Sequence, residues 1–142
     1  MRFNHLVIFM AALLGALPAH AATEEEVRQQ IEEVLGDVAG FEATIAEVSN
    51  AILTDDPDAL AVVTEFPLGN SGEDVEDSEG LAERWDELFT EKVKNAMDAG
   101  RYDELIVTSE GVGVGGGEVW INRFCEDDAC EKAHWALARV NN

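Results

Sequence analysis

The stretch GVGVGGGEVW, residues 111–120, puts Gly111, Gly113 and Gly116 at the G-x-G-x-x-G spacing that binds dinucleotides. That chemistry needs a helix directly after the glycines, because the helix N-terminus holds the pyrophosphate. The glycines instead run into EVWINRF, which is rich in β-branched and aromatic residues and lacks a helix cap, so a strand is predicted. No G-K-[ST] comes after them either, which excludes a P-loop. The glycines therefore predict a hairpin. A two-residue turn at Gly115-Gly116 sets Val112 opposite Val119 and Gly111 opposite Trp120. A turn at Gly116-Gly117 sets Val112 opposite Ile121 and Gly113 opposite Trp120. In both registers valine meets a β-branched partner and the indole lies over a glycine.

The second reactive pair is Cys125 and Cys130 in CEDDAC. Four intervening residues differ from the two of a redox-active pair, and only His134 is near enough to join a metal site, so a disulfide is expected. Closing so short a loop contributes roughly 2 kcal/mol. His134 flanks Trp135 at the start of a predicted strand, where an edge or solvated role is expected. His5 and His20 lie in an N-terminal leader. No H-E-x-x-H or paired-histidine spacing occurs, so no metal is assigned. The acidic run GEDVEDS lacks the order of a calcium loop and reads as a solvated turn. No carboxylate pair stands out from the many acids, so no catalytic residue and no cofactor are assigned.

The leader is the first 21 residues, which read as a secretory signal peptide. They hold a short basic start, an apolar run LVIFMAALLGAL and the small-x-small site Ala19-His20-Ala21, with cleavage after Ala21. The run is too short to span a bilayer comfortably, no cysteine marks a lipid anchor, and no later segment is long and apolar, so no membrane association is expected after cleavage. Residues 22–142 then form one α+β domain, periplasmic or secreted. Arg2 is the leader's one cation and all acids lie beyond it, so cleavage makes the charge one unit more negative than the −21 of the whole chain. Nucleic acid and anionic lipid are disfavoured as partners.

The elements that position these groups are read from periodicity. TEEEVRQQIEEVLG has a capping box at Thr23 and Glu26, a stripe of Val27, Ile31, Val34 and Leu35, and a stop at Gly36. A second helix is predicted from about Phe41 to Thr54, and Asp56-Pro57 starts a short third. Phe66-Pro67-Leu68 reads as an edge strand, with a short return strand over Glu73–Glu76. LAERWDELFTEKVKNAMDAG predicts one long helix whose stripe includes Leu81, Trp85, Leu88, Phe89, Val93 and Met97. Beyond Gly100 the period becomes two, and three strands are predicted: ELIVTSEGVGVGGG, EVWINRF and KAHWALARV. Helices first and an antiparallel meander last make an α+β fold.

The order AILTDDPDALAVV, EFPL, RWDELFTEKVKNAM and GVGVGGGEVWI resembles the nuclear-transport-factor-2-like superfamily of cystatin-like α+β cones, and within it small exported bacterial proteins without assigned roles. The resemblance implies N-terminal helices and one long helix packed on a curved antiparallel sheet around a cone-shaped cavity. It also implies pairing through the open sheet face as one route to a homodimer. Members include non-catalytic binders of small molecules or proteins, and isomerases or dehydratases with an Asp or His and often a Tyr in the cavity. Such a pair does not carry over: Tyr102, the only tyrosine, falls between helix and strand.

By alternation, Trp120, Asn122 and Phe124 share one face of a strand, and Trp135, Leu137 and Arg139 share one face of the next. If these faces line the cone, the rings form an apolar pocket with Asn122 and Arg139 as polar handles. The expected ligand-binding set is therefore Trp120, Asn122, Phe124, Trp135 and Arg139. The leading expectation is a non-enzymatic exported domain that binds a small molecule or protein. The alternatives are an isomerase-like enzyme with a buried carboxylate base, and an acidic protein that docks a basic partner.

Overall fold

The computed structural model describes residues 20–142, so most of the expected leader lies outside the described residues. Helix α1 (Glu24–Leu35) begins with the predicted capping box. The Thr23 hydroxyl accepts from the Glu26 N–H at 3.2 Å, and the Glu26 carboxylate accepts from the Thr23 N–H at 2.7 Å. Gly36 ends the helix in the left-handed conformation, at φ 79°. Helix α2 (Val38–Leu53) is capped by Asp37, and α3 (Pro57–Val62) by Asp56 with proline in its first turn.

Strand β1 (Thr64–Asn70) comes next, and its Leu68 makes a single antiparallel bridge to Val75 where a return strand is predicted. The predicted long helix is three short ones: α4 (Ser78–Glu83), α5 (Trp85–Leu88) and α6 (Glu91–Ala99). Its backbone leaves the helical region at Phe89 (ψ 66°) and is fully extended at Thr90 (ψ 166°), the N-cap of α6. Leu88 and Phe89, at the end of α5, are both buried. Each short helix places its own apolar residues in the core, and the Thr90 hydroxyl at the start of α6 makes no capping bond.

After a 3₁₀ turn (Tyr102–Glu104) come β2 (Ile106–Val107), β3 (Gly111–Val114), β4 (Val119–Cys125) and β5 (Ala133–Val140). The first predicted strand of the meander is thus two. Thr108 folds the chain back between them, its Oγ1 bonded to the N–H of Gly111 at 3.2 Å. The sheet is open, in the order β1-β5-β4-β3-β2, and β1 runs parallel to β5, so it is mixed rather than wholly antiparallel.

The β3–β4 hairpin takes the second predicted register: Val112 faces Ile121 and Gly113 faces Trp120. Its turn is four residues, Gly115 to Glu118, rather than two. Val114 O accepts from the N–H of both Gly117 and Glu118, and Gly115 and Gly117 have φ of 64° and 97°. The helices cover one sheet face. Val112, Val114, Val119, Ile121, Leu137 and Val140 point there and share one apolar core with Phe41, Ile52, Leu88 and Val93. Among the described residues no helix is long and apolar enough to cross a membrane.

The expected disulfide joins Cys125 and Cys130 and closes the β4–β5 loop.

Candidate ligand-binding site

The predicted binding residues do not share one site. Trp120 pairs with Arg139 and Ile121 with Leu137, so Ala138 is an extra residue in β5. This bulge reverses the alternation, and Arg139 points to the opposite face from Trp135 and Leu137. The Leu137 N–H is held by Val63 O at 2.8 Å, at the entry to β1. Trp135 lies on the helical side, its ring centroid 5.6 Å from that of Phe41, and its indole N–H donates to Asp37 Oδ2 at 3.1 Å. It is a core residue. On the outer face Phe124 stacks on His134, also at 5.6 Å between centroids. Trp120, Asn122 and Arg139 do come together there, lining a groove with Thr108, Ser109 and Glu110.

An apolar pocket lies on the helical side, between elements distant in sequence. α2 supplies Phe41, Ile45 and Ser49, α6 supplies Met97, and β3 supplies Val114. The segment after α6 closes one wall with Tyr102 and Leu105. The cavity volume is 170 Å³. Phe41, Met97 and Val114 are buried, whereas Ile45, Tyr102 and Leu105 are half-buried. The pocket thus has a buried floor and an accessible rim.

Tyr102 is the one titratable residue in this lining. Its hydroxyl donates to Glu42 Oε1 at 2.8 Å, and the Arg28 guanidinium meets the same oxygen at 2.7 Å. Burial and this bond to a carboxylate push the Tyr102 phenol up to about 12. The Tyr102 hydroxyl is thus turned to Glu42, and its ring forms one wall of the pocket. Elsewhere, the carboxyl groups of Glu26, Asp55, Glu87 and Asp103 are displaced downward, each chiefly by a hydrogen bond from Thr23, Lys94, Arg84 or Arg101 respectively.

His134 sits outside both hollows. Its Nε2 is 2.9 Å from Glu65 Oε2 on β1, and its Nδ1 is 3.1 Å from Glu126 Oε1 in the disulfide loop. Among the described residues no group of three or more His, Cys, Asp or Glu side chains is arranged to hold a metal ion.

Sequence reasoning missed the helical-side pocket. Phe41, Ile45 and Ser49 keep an i, i+4, i+8 spacing on α2, and the polar third member was the one signal for a face not fully packed. Tyr102 and Leu105 reach the site through a turn that no periodicity describes. No known protein family, curated protein or solved structure matches this chain, so the case for function rests on this geometry.

Proposed function

We propose that the protein is an exported, non-enzymatic binding domain that holds a small apolar molecule between α2, α6, the 3₁₀ turn and β3. The observation that carries this reading is a pocket of 170 Å³ walled by Phe41, Ile45, Met97, Leu105 and Val114. An engineered apolar cavity of about 150 Å³ stays dry and takes up benzene. Burying a ring-sized ligand removes apolar surface from water at about 25 cal/mol per Å². The rim keeps an entry path, which a sealed core void lacks.

Export fits the disulfide, since such bonds persist in oxidising compartments. The leader and a periplasmic or secreted address belong to this proposal. So does the likeness to nuclear-transport-factor-2-like cones, with which helices on one face of an open sheet are compatible.

Native mass spectrometry of protein purified from its own compartment tests the reading. The expected result is a retained small apolar adduct, lost in Ser49→Leu, whose added carbons fill the pocket. A chain that carries no adduct, and takes up none when incubated with benzene or indole, contradicts it.

A further inference from the structure

We propose that the outer-face groove of the sheet is a second site, and that it takes a neutral saccharide ring. The groove has a volume of 310 Å³, at the lower end of the roughly 300–1,000 Å³ of ligand pockets. Trp120 lines it, with the indole lying over Gly113 and its N–H already donated to Gly117 O at 3.1 Å. The ring is fixed in place and offers a π surface rather than a donor. Around it stand planar or hydroxylated groups: Thr108, Ser109, Glu110, Asn122 and Arg139.

Two of these groups have unused capacity. The Asn122 side chain makes no hydrogen bond among the described residues; its Oδ1 is sealed against Gly111, which leaves the Nδ2 N–H groups to meet a ligand. Arg139 has no carboxylate within 4.0 Å among the described residues, in a chain with a large excess of acids. Its Nε donates to Asn141 Oδ1 at 2.9 Å and its Nη2 to Asn70 O at 3.4 Å, which leaves further N–H groups for a ligand.

The mixture selects the ligand class. A pyranose presents C–H bonds on one face and hydroxyls around its edge. The C–H face suits the negative face of an indole, and the hydroxyls suit amide, guanidinium and carboxylate groups together. An inorganic anion would use Arg139 but meet Glu110, and an apolar molecule would bury these polar groups unpaired. The groove lies across the sheet from the apolar pocket and stands independently of it.

The test is an NMR titration with glucose, galactose, N-acetylglucosamine and maltose, read at the Trp120 indole N–H and the Asn122 side-chain amide. Acetate and sulfate form a parallel arm. At least one saccharide should give saturable shifts at both groups with a millimolar dissociation constant. Arg139→Gln, an exposed position that spares the fold, should weaken binding about tenfold. Trp120→Phe should weaken it as well, and Ser49→Leu should leave it unchanged. Shifts from the anions alone, no shift from any of the sugars, or unaltered affinity in Arg139→Gln would each overturn the proposal.

Discussion

Gly113 and Trp120 face each other across the β3–β4 hairpin, and the indole occupies the space that a side chain at 113 would need. A Cβ at Gly113 would lie 2.9 Å from Trp120 Cζ2 and 3.0 Å from Cη2. An indole is rigid, so the ring or the strand must move. Gly113→Val is expected to cost about 1–3 kcal/mol, the usual range for overpacking. Urea unfolding should show a lower midpoint, and the Trp120 indole N–H resonance should shift as the ring leaves its place. An unchanged midpoint would mean that the indole is not held there.

Asp37 serves two elements at once. Its Oδ1 accepts from the Gly40 N–H at 3.0 Å and caps α2, while its Oδ2 accepts from the Trp135 indole at 3.1 Å. Asp37→Ala removes the cap and leaves a buried indole N–H unpaired. The expected loss is about 2–4 kcal/mol, from a cap of about 1 and an orphaned donor of about 1–3. Asp37→Asn retains an acceptor and should recover part of that loss. Chemical denaturation of both variants checks the order.

His134 ties β5 to β1 and to the disulfide loop through Glu65 and Glu126. The hydrogen bond that His134 donates to Glu65 is the main cause that raises its pKa above the ordinary 6.5, with Glu126 adding to it. A raised folded-state value means that protonated His134 favours the fold. This contribution is complete below about 6.5 and is lost as pH rises through the raised value. The stability difference between the wild type and His134→Gln should therefore shrink from mildly acidic to alkaline pH. Thermal unfolding across that range measures it, and a constant difference would contradict the clasp.

Tyr102 is the only tyrosine, so absorbance titration reads it alone. The folded protein should titrate near 12 and the denatured chain near the ordinary value of about 10. Stability should accordingly fall as pH rises from the lower of these values to the higher. Glu42→Gln removes the carboxylate that holds the proton and should bring the folded value down. A folded chain that titrates at the ordinary value would break the link between Tyr102 and Glu42.

The features legible in the sequence are local. Thr23 and Glu26 announce a capping box, Asp56-Pro57 a helix start, and the glycine spacing a hairpin in one of two registers. Each signal lies within a few residues of the structure it specifies. The break at Phe89 and Thr90 leaves the apolar stripe buried on both sides, so the spacing of Leu88, Phe89 and Val93 does not reveal it. The bulge at Ala138 leaves no mark, because alternation counts residues and cannot see one extra. That single residue separated Arg139 from Trp135 and divided the expected site. The pocket beside Tyr102 depends on a turn meeting α1 and α2, which pairwise spacing does not encode.

The central claim is that the space between α2, α6 and β3 admits a ligand. The direct measurement is a methyl-labelled NMR titration with indole, read at Ile45, Met97, Leu105 and Val114. Saturable shifts at these methyls, absent in Ser49→Leu while that variant keeps its wild-type unfolding midpoint, are the predicted result. Indole that leaves all four methyls unmoved, or that shifts them equally in Ser49→Leu, would show that nothing binds in this space.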